Sequence, residues 1–391
     1  MTIYATINFE SIESLFKYFL SYYNSSPLLF ILIIFIIFIS LVLLTKVIEL
    51  YLRDPSDKLV SIIENSNKVG ILMHENPDPD SMASALGIKF LAMREGNDVE
   101  IFYSGDISHH ENRAFRAVLD VTFTKIDNKD DLSCETIILV DHHEPRGFEG
   151  STSVVPDVII DHHSRTVGFN DDNIEFSYID SSYGACSTIV YEFLKEQNIV
   201  IDDEQEQDSL DETTSTALYY GIISDTDNLI RSVSRNDYYA SMNLYDGINK
   251  DSLYRISNPK IDEDSLETKA NAILNRDVRG PFAVSYVKNI MNSDSIPQSA
   301  DALVKLEGLS SVVVIGECED NIRLSGRAYD DRVHMGDVIS HVLQDVDGAS
   351  GGGHSKMGGG MIPKEKFDSS ELTKDDLIEN IFTILNGNTE V

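Results

Sequence analysis

A chain of 391 residues with 42% apolar residues has room for about two domains and a small appendage, which excludes disorder as its resting state. Its formal net charge of −34, from 65 acidic against 31 basic residues, excludes a protein that grips long DNA or RNA through the phosphate backbone, because that requires clustered Lys and Arg. The three cysteines, Cys134, Cys186 and Cys318, lie far apart without a CxxC pair; no disulfide framework or zinc ribbon is indicated, and the implied compartment is reducing.

The first element is apolar on every side. Leu28 to Leu44 reads LLFILIIFIIFISLVLL, with Ser40 its only polar residue. Extended over 28–50, it is long enough as a helix to cross a hydrocarbon core of ~30 Å. Lys46, Arg53 and Lys58 follow the span and only Lys17 precedes it, which predicts a single-pass protein with the bulk of the chain cytoplasmic. Residues 1–27 would then be a short extracytoplasmic segment, weakly amphipathic over FESIESLFKYFLSYY and suited to the membrane interface.

Beyond the span, Asp57 to Asn65 has a helical pattern, and VGILM at 69–73 reads as a strand. HENPDPDS at 74–81 leads into a helical stretch to Gly96, and VEIFY is the next strand. TIILVD and DVIIDHH, which ends at 163, are short continuous apolar runs of the kind buried on both faces of a parallel sheet. Helical patterns follow at 187–197 and 211–223, and the acidic run 202–212 reads as an exposed connector. The pattern loosens over 246–265, interrupted by Pro259, and is assigned to a linker. FAVSYV, SSVVVIG and IRLSGRA then read as strands, SADALVKL and GDVISHVL as helices, and GASGGGHSKMGGG at 348–360 as a flexible glycine-rich loop. The expected fold class is α/β: a parallel-sheet catalytic domain over 54–245 and a smaller α/β domain over 266–387.

Four acidic or histidine clusters each end an apolar run: HENPDPDS, LVDHH at 139–143, IIDHHSR at 159–165 and GIISDTD at 221–227. In parallel α/β sheets ligands gather beyond the carboxyl ends of strands, where these clusters fall. Hard carboxylates and imidazoles together are what two divalent metal ions require. Pro77 and Pro79 hold their neighbours extended, so that Asp78 and Asp80, two apart, can project to the same side, with His74 close by. A dinuclear site also needs a shared carboxylate, and Asp141, at the end of TIILV, is placed for it. His162 offers an imidazole from the next strand, and Asp225 a last carboxylate. His142 and His143 read as incidental or supporting, and which of the two Asp-His-His runs is the functional one stays open. In the glycine loop, amides can approach phosphate closely with His354 as donor, while Arg327 at a strand end is either a bidentate phosphate clamp or a surface ion pair.

With these residues in view, the chain resembles the DHH phosphoesterase family, the RecJ-like superfamily, over about residues 60–385, including the DHH-associated C-terminal domain. The resemblance implies a two-domain fold with two divalent metal ions, manganese the expected species. His74, Asp78 and Asp141 would hold one ion. Asp80, Asp141, His162 and Asp225 would hold the other. His163 would face the substrate phosphate as a catalytic residue beside Asp141, and Gly351, Gly352, Gly353, His354 and Arg327 would bind the nucleotide end. The implied activity is metal-dependent hydrolysis of small nucleotide phosphodiesters, similar to membrane-anchored cyclic di-AMP phosphodiesterases. A nano-RNase or 3′-phosphoadenosine 5′-phosphate phosphatase is the alternative, and a membrane-anchored nucleotide sensor without turnover the third reading. The doubled Asp-His-His, the absence of room for a sensory domain between Arg53 and Val69, and SKMGGG after the glycines depart from the family pattern. A homodimer is compatible with the sequence.

Overall fold

The structure is a computed structural model that describes Lys17, Ser21 and residues 26–51, 54–199, 210–330, 332–369 and 372–387. Most of the expected interfacial segment and most of the acidic connector lie outside the described residues. In chain order the first elements are α1 (Pro27–Tyr51), α2 (Pro55–Glu64), β1 (Lys68–Met73), α3 (Pro79–Arg94), β2 (Asp98–Tyr103), α4 (His110–Val118), β3 (Thr124–Lys125), β4 (Thr136–Val140), β5 (Val158–Asp161), β6 (Phe176–Ile179), α5 (Cys186–Glu196), α6 (Glu212–Asp225) and α7 (Arg235–Leu244). There follow α8 (Lys250–Ser257), α9 (Glu263–Leu274), β7 (Arg276–Arg279), β8 (Phe282–Val287), α10 (Ser295–Leu303), β9 (Ser311–Glu317), β10 (Asn321–Ala328), α11 (Met335–Leu343), β11 (Ser350–Gly353), β12 (Met357–Pro363), α12 (Lys364–Ser369) and α13 (Lys374–Gly387).

Helix α1 is long and apolar enough to span a membrane. Its described apolar side chains between Leu28 and Leu44 are all exposed, so no protein core accounts for them.

The chain divides into two compact units, Met1–Gly105 with Phe123–Ile248, and Asp106–Thr122 with Asn249–Val391. The first is built on a six-stranded sheet in the order β3-β2-β1-β4-β5-β6. All its pairings are parallel. Strands β1, β4 and β5 are buried nearly end to end because helices cover the sheet, which is why their sequences run apolar without alternation. Strand order reverses direction between β1 and β4, and at such a switch point the loops leaving the strands part to leave a crevice. Helix α3 enters directly from β1: Asp78 caps it, accepting from the Ser81 amide at 3.0 Å, and Pro79 occupies the first turn.

The second unit carries a mixed sheet in the order β11-β12-β10-β9-β8-β7. Alternation along β9 feeds two cores: Val313 and Ile315 pack with α11 and α13, while Val312 and Val314 pack with α9 and α10.

Two expectations about this half are revised. The linker over 246–265 is largely helical, as α8 and the start of α9, with Asn249 and Asp262 capping them and Ile256 buried. Pro259 separates the two helices rather than marking loose chain. The glycine-rich loop is a β-hairpin in which Gly351, Gly352 and Gly353 pair with Gly360, Gly359 and Gly358. Glycine is required there because α11 lies directly on the hairpin: a Cβ on Gly358 would come within 2.6 Å of the Met335 carbonyl oxygen, and one on Gly351 within 2.8 Å of Leu343 Cδ1.

Candidate metal centre and substrate pocket

Four chain segments bring their polar ends together in the first unit: His74 after β1, Asp78 and Asp80 at the start of α3, Asp141 after β4, and His162 after β5. Asp225 joins them from the last turn of α6. Their ligand atoms form three close groups: His74 with Asp78 and Asp141; Asp80 with His162 and Asp225; and Asp141 with His162 and His163.

Asp141 is common to two of them. Its Oδ2 lies 3.5 Å from His74 Nε2 and its Oδ1 lies 3.3 Å from His162 Nε2, so the two oxygens of one carboxylate face different histidines. Around these, His74 Nε2 is 3.6 Å from Asp78 Oδ1, and His162 Nε2 is 3.8 Å from Asp80 Oδ2 and 3.5 Å from Asp225 Oδ2. Asp141 is a buried non-glycine residue at φ 64, a conformation L side chains adopt only when the surroundings impose it. Here it turns the carboxylate back over the sheet end.

The donor set fits divalent cations. Asp141 Oδ1 is buried, and His162 Nε2 at 3.3 Å makes no well-formed hydrogen bond with it, so a cation lying between the two would satisfy both. His74 Nδ1 is 2.8 Å from the Glu75 carbonyl oxygen, and His162 Nδ1 is 3.3 Å from that of Tyr183. A carbonyl can only accept, so each Nδ1 donates, and each Nε2 is the nitrogen turned toward the carboxylates, able to ligate a metal once it gives up its proton. Asp80 is anchored by the start of α5, accepting from the amides of Cys186 at 2.7 Å and Ser187 at 2.9 Å.

Crowded charge shifts the protonation of the cluster. Burial opposes charging His74, but Asp141 and Asp78 outweigh it and raise its pKa to about 11. Burial likewise opposes charging His162, which Asp141, Asp80 and Asp225 lift to about 10. Burial pushes Asp225 up to about 6 despite His162, and burial with the charge of Asp141 pushes Asp80 well above the usual carboxylate range. Burial alone would raise Asp141 too, yet His162 and His74 hold it far below. In effect the imidazole Nε2 atoms hold protons where a metal would otherwise bind.

The two Asp-His-His runs, at the ends of neighbouring strands, part company. Asp141 contributes its carboxylate, but His142 turns away: it is neutral, its pKa lowered to about 4 by burial, and it donates to the Val140 carbonyl at 2.9 Å. From the second run, His162 and His163 join the cluster while Asp161 lies behind them, fully buried. Asp161 Oδ1 accepts from the His163 amide at 3.0 Å and from His163 Nδ1 at 2.8 Å. Asp161 Oδ2 is 2.5 Å from His143 Nδ1. The sequence reading missed this pairing of Asp161 with His143; the only signal for it was that the two runs occupy equivalent ends of strands expected to be neighbours.

In the second unit a cavity of about 950 Å³ is lined by Arg327, Gly351, Gly352, Gly353 and His354 together with Arg323, Ser325 and Met357. Arg327 does not extend a free fork: its Nε donates to Asp301 at 2.5 Å, and its Nη1 donates to Ser325 Oγ at 3.1 Å. Arg327 thus borders the cavity and is ion-paired. Asp301 was not anticipated. A Cβ on Gly352 would meet nothing within 4 Å, so that part of the cavity floor is bare backbone.

Residues 68–222 match the DHH family, N-terminal domain, and residues 279–381 match the DHHA1 domain, together more than half of the chain. An uncharacterised protein of Methanocaldococcus jannaschii is 34% identical over 294 residues, 75% of this chain and 57% of that protein. A probable manganese-dependent inorganic pyrophosphatase of Lactiplantibacillus plantarum is 30% identical over 131 residues, 33% of this chain and 41% of that protein. This chain thus spans less than two thirds of either relative. The crystal structure of an exopolyphosphatase-related protein from Bacteroides fragilis superposes with a TM-score of 0.63 at 15% identity, covering 85% of this chain and 96% of that one, and shares its fold.

Proposed function

Because this chain belongs to the DHH family, we propose that it is a metal-dependent phosphodiesterase that hydrolyses small nucleotide phosphodiesters, cyclic di-AMP or short linear oligonucleotides, at the cytoplasmic face of a membrane. The observation that carries this reading is Asp141, a buried carboxylate whose two oxygens face two different histidine–carboxylate groups. His74, Asp78 and Asp141 would hold one divalent ion, and Asp80, Asp141, His162 and Asp225 a second; the name of the Lactiplantibacillus relative favours manganese. Two such ions lower the pKa of a shared water and neutralise phosphate charge.

The protein's own groups supply orientation. The Glu75 and Tyr183 carbonyls keep the two imidazoles in the ligating tautomer, and the amides of Cys186 and Ser187 fix Asp80. His163, 54% exposed with Nδ1 on Asp161, directs its Nε2 outward, where it would contact the phosphate. The bare glycine face, His354 and Arg327 of the second unit would take the nucleotide end, with Arg327 exchanging Asp301 for phosphate. Helix α1 would hold the enzyme at the membrane as a single-pass anchor.

The test is turnover by the full chain in detergent with manganese. Cyclic di-AMP, its linear dinucleotide, short RNA and 3′-phosphoadenosine 5′-phosphate form the panel. Preference for the first two supports the reading, and preference for either of the others selects the nano-RNase or phosphatase alternative. Nucleotide binding without any product under any divalent metal would leave the sensor reading.

A further inference from the structure

We propose that His143, from the first Asp-His-His run, is a positioning residue for His163, acting through the carboxylate they share, Asp161. The claim rests on the reading of His163 as the residue that meets the phosphate.

Hydrogen-bond directions around His143 are fixed by its neighbours. The Thr166 backbone amide, which can only donate, is 3.1 Å from His143 Nε2, and Thr166 Oγ1 is 2.8 Å from the same nitrogen. Nε2 therefore accepts, so the ring hydrogen of neutral His143 sits on Nδ1, the atom 2.5 Å from Asp161 Oδ2. Asp161, fully buried, is then an acceptor on both sides: from His143 on Oδ2, and from the His163 ring and amide on Oδ1. Three donors lock the plane of the carboxylate, and that plane dictates the orientation and tautomer of the His163 ring, leaving Nε2 directed outward. His143 is itself held: it is 8% exposed, and the Phe169 ring meets it edge-on at 4.7 Å.

Without the His143 donor, Asp161 Oδ2 would be a buried carboxylate oxygen with no partner. The carboxylate would be free to rotate, and His163 with it. The repetition of Asp-His-His at the ends of two adjacent parallel strands thereby acquires a physical meaning. The first run supplies the shared carboxylate of the metal cluster and the brace, and the second supplies the ligand, the phosphate contact and the carboxylate that the brace holds.

The experiment uses the full chain in detergent, as parent, His143→Ala and His143→Asn, with three readouts: steady-state hydrolysis with manganese, manganese affinity, and the tautomer of His163 by histidine 15N NMR of the magnesium-loaded protein. His143→Ala should lower kcat about 10- to 100-fold with KM and metal affinity unchanged, the range for losing an outer hydrogen-bond partner of a metal site. It should also turn the single Nδ1–H form of His163 into a mixture. His143→Asn, whose amide N–H can replace Nδ1–H, should recover most of the loss. If His143→Ala does not fold, His143→Phe, which keeps a ring against Phe169 and lacks the nitrogens, replaces it. Parental kcat and tautomer in the Ala variant, or an Asn variant as impaired as Ala, would overturn the proposal. A parent that hydrolyses nothing would instead refute the phosphodiesterase reading, and the tautomer would still decide the role of His143.

Discussion

The two units carry functional surfaces of opposite construction. In the first, charged groups are buried and held by backbone: Asp80 by two amides, His74 and His162 by carbonyls, and Asp161 between two imidazoles. In the second, one face of the sheet is nearly bare. Ser325, Gly359 and Gly352 lie side by side across β10, β12 and β11, flanked by the pairs Arg323–Met361 and Arg327–Met357. The methionines are partly exposed, 42% for Met357 and 36% for Met361, and flexible. Rigid preorganisation suits a site that stabilises one kind of charge development, whereas an open glycine floor with pliable edges suits adaptation to different bases and sugars. On the proposed reading, the first unit would set the reaction type and the second would choose the substrate.

The largest expected effect breaks the first unit at its centre. Asp141→Asn should lower manganese-dependent hydrolysis by about a thousandfold or more, because one change damages both ion sites at once. Calorimetry should show manganese binding lost with the circular dichroism intact; activity within tenfold of the parent would refute a shared carboxylate.

Next in size is the dependence on pH. Metal must displace protons from His74 and His162, whose pKa values are raised to about 11 and about 10, so the affinity for each ion should climb with pH, by up to about tenfold per unit between pH 6 and 8. For the metal-free protein the signs run the other way. Protonated His74 and His162 stabilise it fully below about pH 6.5, and that contribution fades as pH rises through about 10 to 11. The raised Asp225 carboxyl contributes below about pH 4 and loses its contribution as pH passes about 6. Manganese should consequently raise the Tm more at pH 8 than at pH 5.5, and equal shifts would refute the proton competition.

The smallest effect separates packing from binding within the hairpin. Gly358→Ala puts a methyl against the Met335 carbonyl oxygen and should cost about 1–3 kcal/mol in denaturant unfolding. Gly352→Ala meets nothing and should leave stability within about 0.5 kcal/mol while raising KM for the nucleotide substrate. Equal destabilisation by both would mean that the glycine face serves α11 alone.

Much of the first unit was legible in the chain. Continuous apolar runs such as TIILV mark strands covered on both sides, and polar clusters can follow them only where the strands end. Legibility failed where a partner came from afar. The linker region gave no clear pattern, since α8 is short and buries only Ile256, and the hairpin was hidden because glycine has no side chain with which to record alternation. Helix α4 escaped for another reason: residues 106–122 lie between strands of the first unit yet group with the second, so their partners come from far along the chain.

By itself the sequence determined the strands of the first unit that carry the metal cluster, the α/β class, the apolar span and the residue types that crowd that cluster, since each follows from local periodicity and from donor chemistry. Only the tertiary structure decided what each histidine of the two Asp-His-His runs meets. Composition treats His142, His143, His162 and His163 alike. What distinguishes them is which nitrogen meets a carbonyl, an amide or a carboxylate, and those partners arrive from Val140, Thr166, Asp161 and Tyr183 once strands β4 and β5 lie side by side.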